Sequence, residues 1–247
     1  MARRRFFVDR VHDGRAELAG DEARHLSRVL RATPGQRYEV SDGHALYLAE
    51  IAEVSAQRVL FRIVEPLDFT APPVEITLLA ALIKFDRFEW IVEKATELGV
   101  AKIVPMDCER SEKGLAKAAE KRRERWQRVA REASQQSRRV HLPEIAEPAT
   151  LKQATTQPAK YRFALEENPG APPLLTAAMS IERRHGDTVA LAVGPEGGWT
   201  EDERALLPAA GFTAVSAGFQ IMRAETAAIA AMAVLTNAWL APIRIEG

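Results

Sequence analysis

The sequence predicts an α/β protein in two parts: a small β-barrel carrying one short helix, then a domain whose largely parallel sheet alternates with helices. Three observations predict it. Short β-type runs broken by turn dipeptides occupy residues 6–69, a double proline follows at Pro72-Pro73, and continuous apolar runs then alternate with amphipathic segments.

In the first part the runs RRFFV, RYEVSD, HALYLAEI and RVLFRIV read as strands, separated by Asp13-Gly14, Pro34-Gly35 and Asp42-Gly43. One helical segment, Asp21 to Arg31, interrupts them. Phe69-Thr-Ala-Pro-Pro73 reads as a linker, because consecutive prolines fit neither a helix nor a central strand. The boundary there divides the chain into residues 1–70 and 74–247.

ITLLAALI, Ile76 to Ile83, is the run expected of a strand covered on both faces. Phe88, Ile91, Val92, Ala95 and Leu98 recur at helical spacing and Gly99 supplies the stop. VAKIVPM is a strand, Gly114 to Arg139 a long helical stretch, YRFAL and TVALAV further strands, and Thr200 to Ala209 a helix. AVSAG is the last strand and Ala224 to Leu240 the last helix.

Composition narrows the functional classes. The chain has 247 residues, 47% of them hydrophobic, which is ample for a packed core. Lys plus Arg and Asp plus Glu each number 34, so net charge offers no argument for a nucleic-acid partner and only the distribution of charge can. Cys108 is the single cysteine, which excludes an intrachain disulfide and a cysteine-rich zinc site and points to a reducing, cytoplasmic setting. MARRRFFVDR has positive charge with no apolar stretch behind it, so it is not a secretory signal. The most apolar segment, Ala227 to Leu240, contains Thr236 and Asn237 and is too short to span a bilayer; a buried helix is expected, with no membrane partner. His12, His25, His44, His141 and His185 lack ligand spacing, so no metal is expected.

Three segments carry chemistry. In LAVGPEGGWTEDE, Leu191 to Glu203, a strand runs into a glycine loop and then a helix opened by a capping-box pair, Thr200 and Glu203. Gly194, Gly197 and Gly198 allow close approach of backbone to a ligand, and such a loop at the carboxyl end of a strand is where α/β sheets bind ligands. There is no GxxxxGK[ST] and no GxGxxG, so neither a nucleoside triphosphate nor a dinucleotide is supported. A tight turn that binds nothing fits the glycines equally well.

In SAGFQIMRAETAAIAAMAVL, from Ser216, Arg223 and Glu225 stand at the mouth of an apolar helix. Burying charge there is costly, which marks a site; a surface pair favouring the helix N-terminus is the plainer explanation. From Arg110 to His141, eleven Lys and Arg face four Glu, a local excess of seven. That is the footprint of phosphate-backbone binding, although ion pairs on a solvated helix face, such as Glu124 with Arg128, account for about half of it. Arg3, Arg4, Arg5, Arg24, Arg28, Arg31 and Arg37 add positive charge in the first part. Two basic surfaces favour an extended polyanion over a small substrate.

Taken in order, RRFFVD, HLSRVLRATPGQ, KFDRFEWIVEKATELGVAKIVP, ERW with EASQQSRR, VGPEGGWTEDE and IMRAETAAIAAMAVL resemble the RsmE-like ribosomal RNA uracil-N3 methyltransferases of the SPOUT superfamily, over nearly the whole chain. The resemblance implies a PUA-like RNA-binding barrel and a methyltransferase domain with a trefoil knot, a feature general folding rules make rare. It implies S-adenosylmethionine as cofactor, bound by Gly194, Pro195, Glu196, Gly197 and Gly198, by Ala217, Gly218, Ile221, Met222 and Arg223, and bordered by Leu165 and Glu166. It also implies a homodimer whose substrate is 16S ribosomal RNA or the small ribosomal subunit. The sequence departs from the family at Phe219-Gln220, where proline and arginine are expected.

On this reading Arg223 stabilises the developing uracil anion and Glu225 holds Arg223 in place, the two forming the catalytic pair. Arg5, or Arg138 or Arg139 of the partner subunit, orients phosphate or base. The RNA-binding set is Arg3, Arg4, Arg5, Arg24, Arg28, Arg31, Arg110, Arg138 and Arg139. N3 lies on the Watson–Crick edge, so the target uridine is unpaired or flipped out. Two rival readings remain: a related enzyme modifying another RNA position, and a non-catalytic RNA-binding assembly factor.

Overall fold

A computed structural model describes residues 4–167 and 170–241. The chain forms two compact units: residues 1–71 with 131–142, and residues 72–130 with 143–247. The linear division at the double proline does not reveal that residues 131–142 return to the first unit; the long helix that carries the first of them runs on without a break in the sequence pattern, so periodicity alone has nothing to mark at residue 131.

In the first unit, strands β1 (Arg5–Phe7), β2 (Val11–His12), β3 (Arg15–Ala19), β4 (Arg37–Ser41), β5 (Leu46–Val54) and β6 (Arg58–Leu67) form one sheet in the order β1-β4-β5-β6-β3-β2. β1 pairs parallel to β4 and every other pairing is antiparallel. The turn dipeptide Asp13-Gly14 closes the β2–β3 hairpin, which the sequence reading did not single out, with φ of 48° and 68°. Those paired positive values match the twist of the flanking strands. The expected helix between β3 and β4 is shorter and less regular than the pattern suggested. α1 (Gly20–Arg24) widens into a π-helical turn over His25–Val29, where Leu30 N–H donates to the His25 carbonyl at 3.1 Å. Phe6, Leu18, Leu26, Val40, Ile51, Val59 and Phe61 form the core of this unit.

The second unit contains β7 (Val74–Ala81), α2 (Phe85–Glu97), β8 (Lys102–Asp107), the first part of α3 (Leu115–Gln136), β9 (Glu144–Ile145), β10 (Ala149–Thr150), α4 (Leu151–Ala154), β11 (Tyr161–Leu165), α5 (Leu174–Met179), β12 (Asp187–Val193), α6 (Glu201–Ala209), β13 (Thr213–Val215) and α7 (Ala224–Leu240). Its sheet runs β10-β8-β7-β12-β11-β13, with β9 beside β8, and every pairing is parallel. The two most continuous apolar runs, β7 and β12, are the central pair, as a sheet buried on both faces requires.

Their side chains alternate between two cores. Leu78, Ala80, Val189, Leu191 and Val193 pack with residues of α2, α3, α5 and α7. Leu79, Ala81, Ala190 and Ala192 pack with residues of α4 and α6. α2 ends where Gly99 takes φ 95°, and Val100 N–H closes the turn on the Ala95 carbonyl at 2.9 Å. α7 buries Ala228, Ala231, Met232, Leu235, Ala238 and Trp239. Its two polar interruptions are satisfied, one across to the end of α2 and one within α7: Thr236 Oγ1 donates to the Leu98 carbonyl at 3.0 Å and Asn237 Nδ2 to the Ala233 carbonyl at 2.8 Å. Among the described residues no helix is long and apolar enough to cross a membrane.

Candidate active site

Because β12, β11 and β13 are adjacent and parallel, the loops that leave their carboxyl ends emerge along one edge. There they enclose a cavity of about 440 Å³. Leu165, Glu166 and Glu167 come from β11 and its loop, Val193 from the end of β12, residues 194–196 with Gly198 and Trp199 from the loop after it, residues 216–222 from the loop after β13, and Ala224 and Ala227 from α7. The topology thus brings together the two glycine-containing segments that the sequence marked separately.

Trp199 organises the loop after β12. It is 2% exposed, and its indole N–H donates to the Leu165 carbonyl at 2.8 Å, tying that loop to the end of β11. Gly194 is required by this wedge, since a Cβ there would lie 2.9 Å from Trp199 Cε2. Gly198 takes φ 68°, the left-handed region that favours glycine. The capping box forms as the sequence predicts: Thr200 Oγ1 accepts from Glu203 N–H at 3.3 Å, and Glu203 Oε2 accepts from Thr200 N–H at 2.9 Å. The other Glu203 oxygen accepts from Glu109 N–H at 3.0 Å, joining the loop after β8 to the same point.

Two arginines outside the cavity pair with carboxylates of the site. Arg204 on α6 makes a two-pronged contact to Glu166, at 2.9 and 3.2 Å, which holds the carboxylate in the wall and raises the Arg204 pKa. Arg87 on α2 forms an ion pair with Glu196, and its Nε stands 3.8 Å from Glu225 Oε1. The sequence reading missed both; the Lys84–Trp90 segment looked like an ordinary helix start, and only the fold brings it to the glycine loop.

Several expectations change here. Glu225 was expected to hold Arg223, but its carboxylate faces Arg87 instead. Residues two apart on a helix point to different sides, so Glu225 turns inward at 6% exposure while Arg223, at the N-cap, is exposed. Of the residues expected to bind cofactor, Gly197 and Arg223 are not among those lining the cavity, whereas Leu165, Glu166, Gly194, Pro195, Glu196, Gly198, Ala217, Gly218, Ile221 and Met222 are. Arg110, expected at the RNA, donates to the Gly197 carbonyl at 2.7 Å and to the Trp199 carbonyl at 3.3 Å, so it braces the glycine loop.

In the first unit Arg5, also expected at the RNA, is 7% exposed and bound to Glu39 at 2.7 and 3.0 Å. The parallel register sets Arg5 opposite Glu39, and Arg138 completes the cluster by bonding Glu39 as well. Burial lowers the pKa of Arg139 to about 10, and its Nε donates to the His141 carbonyl at 3.2 Å. Arg4, Arg24, Arg28 and Arg31 are exposed, with Arg24 paired to Asp21. Arg3 lies outside the described residues. Within the basic stretch, Arg123 pairs with Glu147 and Arg125 with Glu89, so part of that charge stabilises the second unit. Cys108 is buried; burial, then the charges of Glu203 and Asp107, push its thiol far above the ordinary range, which leaves it unreactive.

Comparison with known proteins agrees with this geometry. A model of the RNA methyltransferase domain matches residues 70–236, and one of the RNA methyltransferase PUA domain matches residues 18–64. The chain belongs to the RNA methyltransferase family. Among the relatives of this methyltransferase is ribosomal RNA small subunit methyltransferase E of Synechocystis, 35% identical over 231 residues, covering 91% of this chain and 74% of that one. The Bacillus subtilis protein of the same name is 29% identical, covering 89% and 88%. The crystal structure of ribosomal RNA small subunit methyltransferase E from Neisseria gonorrhoeae bound to S-adenosyl methionine has a TM-score of 0.84 at 29% identity, covering 96% of this chain and 98% of that one. A putative methyltransferase from Legionella pneumophila, in complex with the same cofactor, has a TM-score of 0.81 at 28% identity over 96% and 98%.

Proposed function

We propose that this methyltransferase uses S-adenosylmethionine to methylate N3 of a uridine in 16S ribosomal RNA of the small subunit. The observation that carries the cofactor is the charge of the cavity. Glu166, Glu167 and Glu196 line it, Glu166 and Glu196 paired with Arg204 and Arg87 that stand outside the lining, and among the described residues no Lys, Arg or His lines the cavity itself. Phosphate groups would meet like charge there, whereas a ligand bearing sulfonium and ammonium groups is complementary. The apolar lining of Leu165, Val193, Trp199, Ile221, Met222 and Ala227 suits an adenosine moiety. The names of the relatives support the ribosomal RNA substrate, and the resemblance in motif order supports N3.

When bound, S-adenosylmethionine supplies a methyl group already activated on a sulfonium centre. The protein's part is to align and to exclude water. The Trp199 wedge and the Arg204–Glu166 contact fix the wall that receives the cofactor. Arg223, exposed directly between the cavity residues Met222 and Ala224, is placed to stabilise the negative charge that develops on uracil as the N3 proton leaves. Arg4, Arg24, Arg28 and Arg31 provide the phosphate-binding face of the PUA-like unit.

This reading also takes the two cavity loops to be threaded as a trefoil knot, supported by their meeting at one cavity. A homodimer is supported by the exposed apolar side chains Leu175 and Met179 on α5 and Leu240 on α7, which are 52%, 42% and 64% exposed.

The test is to incubate the protein with labelled S-adenosylmethionine and small ribosomal subunits lacking the modification, then to map methylated nucleosides by mass spectrometry. 3-Methyluridine is the expected product. Another methylated nucleoside would overturn the N3 assignment, no methylation despite cofactor binding would point to another substrate, and no cofactor binding would favour a non-catalytic assembly factor.

A further inference from the structure

The contact made by Arg87 links two segments that are far apart in sequence. Glu196, its ion-pair partner, belongs to the glycine loop after β12 and lines the cavity. Glu225, whose Oε1 stands 3.8 Å from Arg87 Nε, belongs to the first turn of α7, where Ala224 and Ala227 line the same cavity. One cation on α2 therefore joins the loop that ends β12 to the helix that follows β13.

The electrostatics make this join directional. Glu225 is 6% exposed, and its Oε2 has no hydrogen-bond partner among the described residues. A carboxylate buried that far needs a compensating charge. The N-terminus of α7 gives part of it, and Arg87 is the cation beside it. Remove Arg87, and Glu196 in the cavity wall and the buried Glu225 of α7 lose the cation they share. Trp199 packs against Gly194 and Arg110 against Gly197, so the Pro195-Glu196 segment between them is what Arg87 fixes through the Glu196 side chain.

We propose that Arg87 is a positioning residue that clamps the glycine loop to the mouth of α7 through Glu196 and Glu225, and so preforms the cofactor cavity. It is not a catalytic residue, because its guanidinium is engaged by the Glu196 and Glu225 carboxylates. The inference rests on the S-adenosylmethionine reading and deepens it: the affinity of the site depends on a group outside the site.

The test is a binding cycle on the full-length protein. S-Adenosylmethionine binding is measured by calorimetry for the wild type, R87A, R87K, E196Q and the R87A/E196Q double variant, at a temperature where melting curves show each to be folded. R87A is expected to bind about tenfold more weakly, as loss of a directly coupled pair implies. R87K restores part of the loss by returning the charge. The double variant loses less than the product of the two single losses, because both changes break one contact, while the charge that Glu196 presents to the cofactor is lost with E196Q in either background. A general loss of stability would not produce that non-additivity.

Binding by R87A within about twofold of wild type, or effects of R87A and E196Q that multiply in the double variant, would overturn the clamp. If R87A does not fold, E225Q, which keeps the volume and removes the charge of an Arg87 partner that does not line the cavity, decides the matter: unchanged affinity overturns it. A wild type that does not bind S-adenosylmethionine overturns the cofactor reading and this inference with it, and is distinguished from failure of the clamp alone by the silent wild-type control.

Discussion

Replacing Gly194 with alanine tests the central packing claim of the cavity. The added methyl would stand 2.9 Å from Trp199 Cε2 and 3.2 Å from Cδ2 and Cζ2, well inside ordinary carbon–carbon contact. Trp199 cannot move aside freely: it is 2% exposed and its N–H is bound to the Leu165 carbonyl. Overpacking a tight site typically costs about 1–3 kcal/mol. If the indole shifts enough to break its bond, an unpaired buried carbonyl adds a similar amount.

A loss of about 2 kcal/mol corresponds to a fall in Tm of about 4–8 °C for a domain of this size. Thermal and urea unfolding of Gly194→Ala measure it directly. Trp199→Phe in the same background removes part of the clashing ring system, so the double variant is expected to lose less than the sum of the single losses. A Gly194→Ala protein that melts within about 1 °C of wild type and binds cofactor normally would refute the reasoning, because the wedge would then be shown to yield at no cost.

Three further outcomes follow from the site and its surroundings. Arg24→Ala and Arg28→Ala should weaken ribosomal RNA binding and each reduce the salt dependence of the affinity by about one unit of slope with little change in Tm, whereas Arg5→Ala, which strips a buried partner from Glu39, should cost about 3 kcal/mol of stability in urea titration. Burial pushes the Asp187 carboxyl up, but the contacts from Lys160 Nζ, Arg184 N–H and Trp239 Nε1 outweigh it and hold its pKa below 3.8. Its contribution to stability is therefore present above that pH and lost as pH falls through the depressed value, so the stability difference between wild type and Asp187→Asn should shrink on acidification below about pH 4 in chemical denaturation. Cys108 should resist alkylation by iodoacetamide in the folded protein at pH 8 and react fully in denaturant, as mass spectrometry would record.

The sequence by itself determined the architecture and the loops. Apolar runs covered on both faces can only be central strands, which is why β7 and β12 were legible and lie side by side. Thr200 and Glu203 specified a helix start through contacts three residues apart, and Gly99 specified a stop; such interactions are local and leave a local signature. The two glycine-containing segments were visible for the same reason, and the order of motifs along the chain identified the family.

Only the tertiary structure decided what those loops touch. The cavity exists because β12, β11 and β13 are neighbours in space, an order that strand patterns do not encode. Arg87, Arg204 and Trp199 act at the site from α2, α6 and the loop after β12, and an arginine on an amphipathic helix has the same local pattern whether it faces water or a carboxylate. Arg5 and Arg110 show the converse. As sequence they were positive charge available to RNA, and in the fold one is buried against Glu39 while the other holds the Gly197 carbonyl. Charge is written in the sequence, but its partner is set by packing, because the groups that neutralise it arrive from segments separated by 34 and 87 positions.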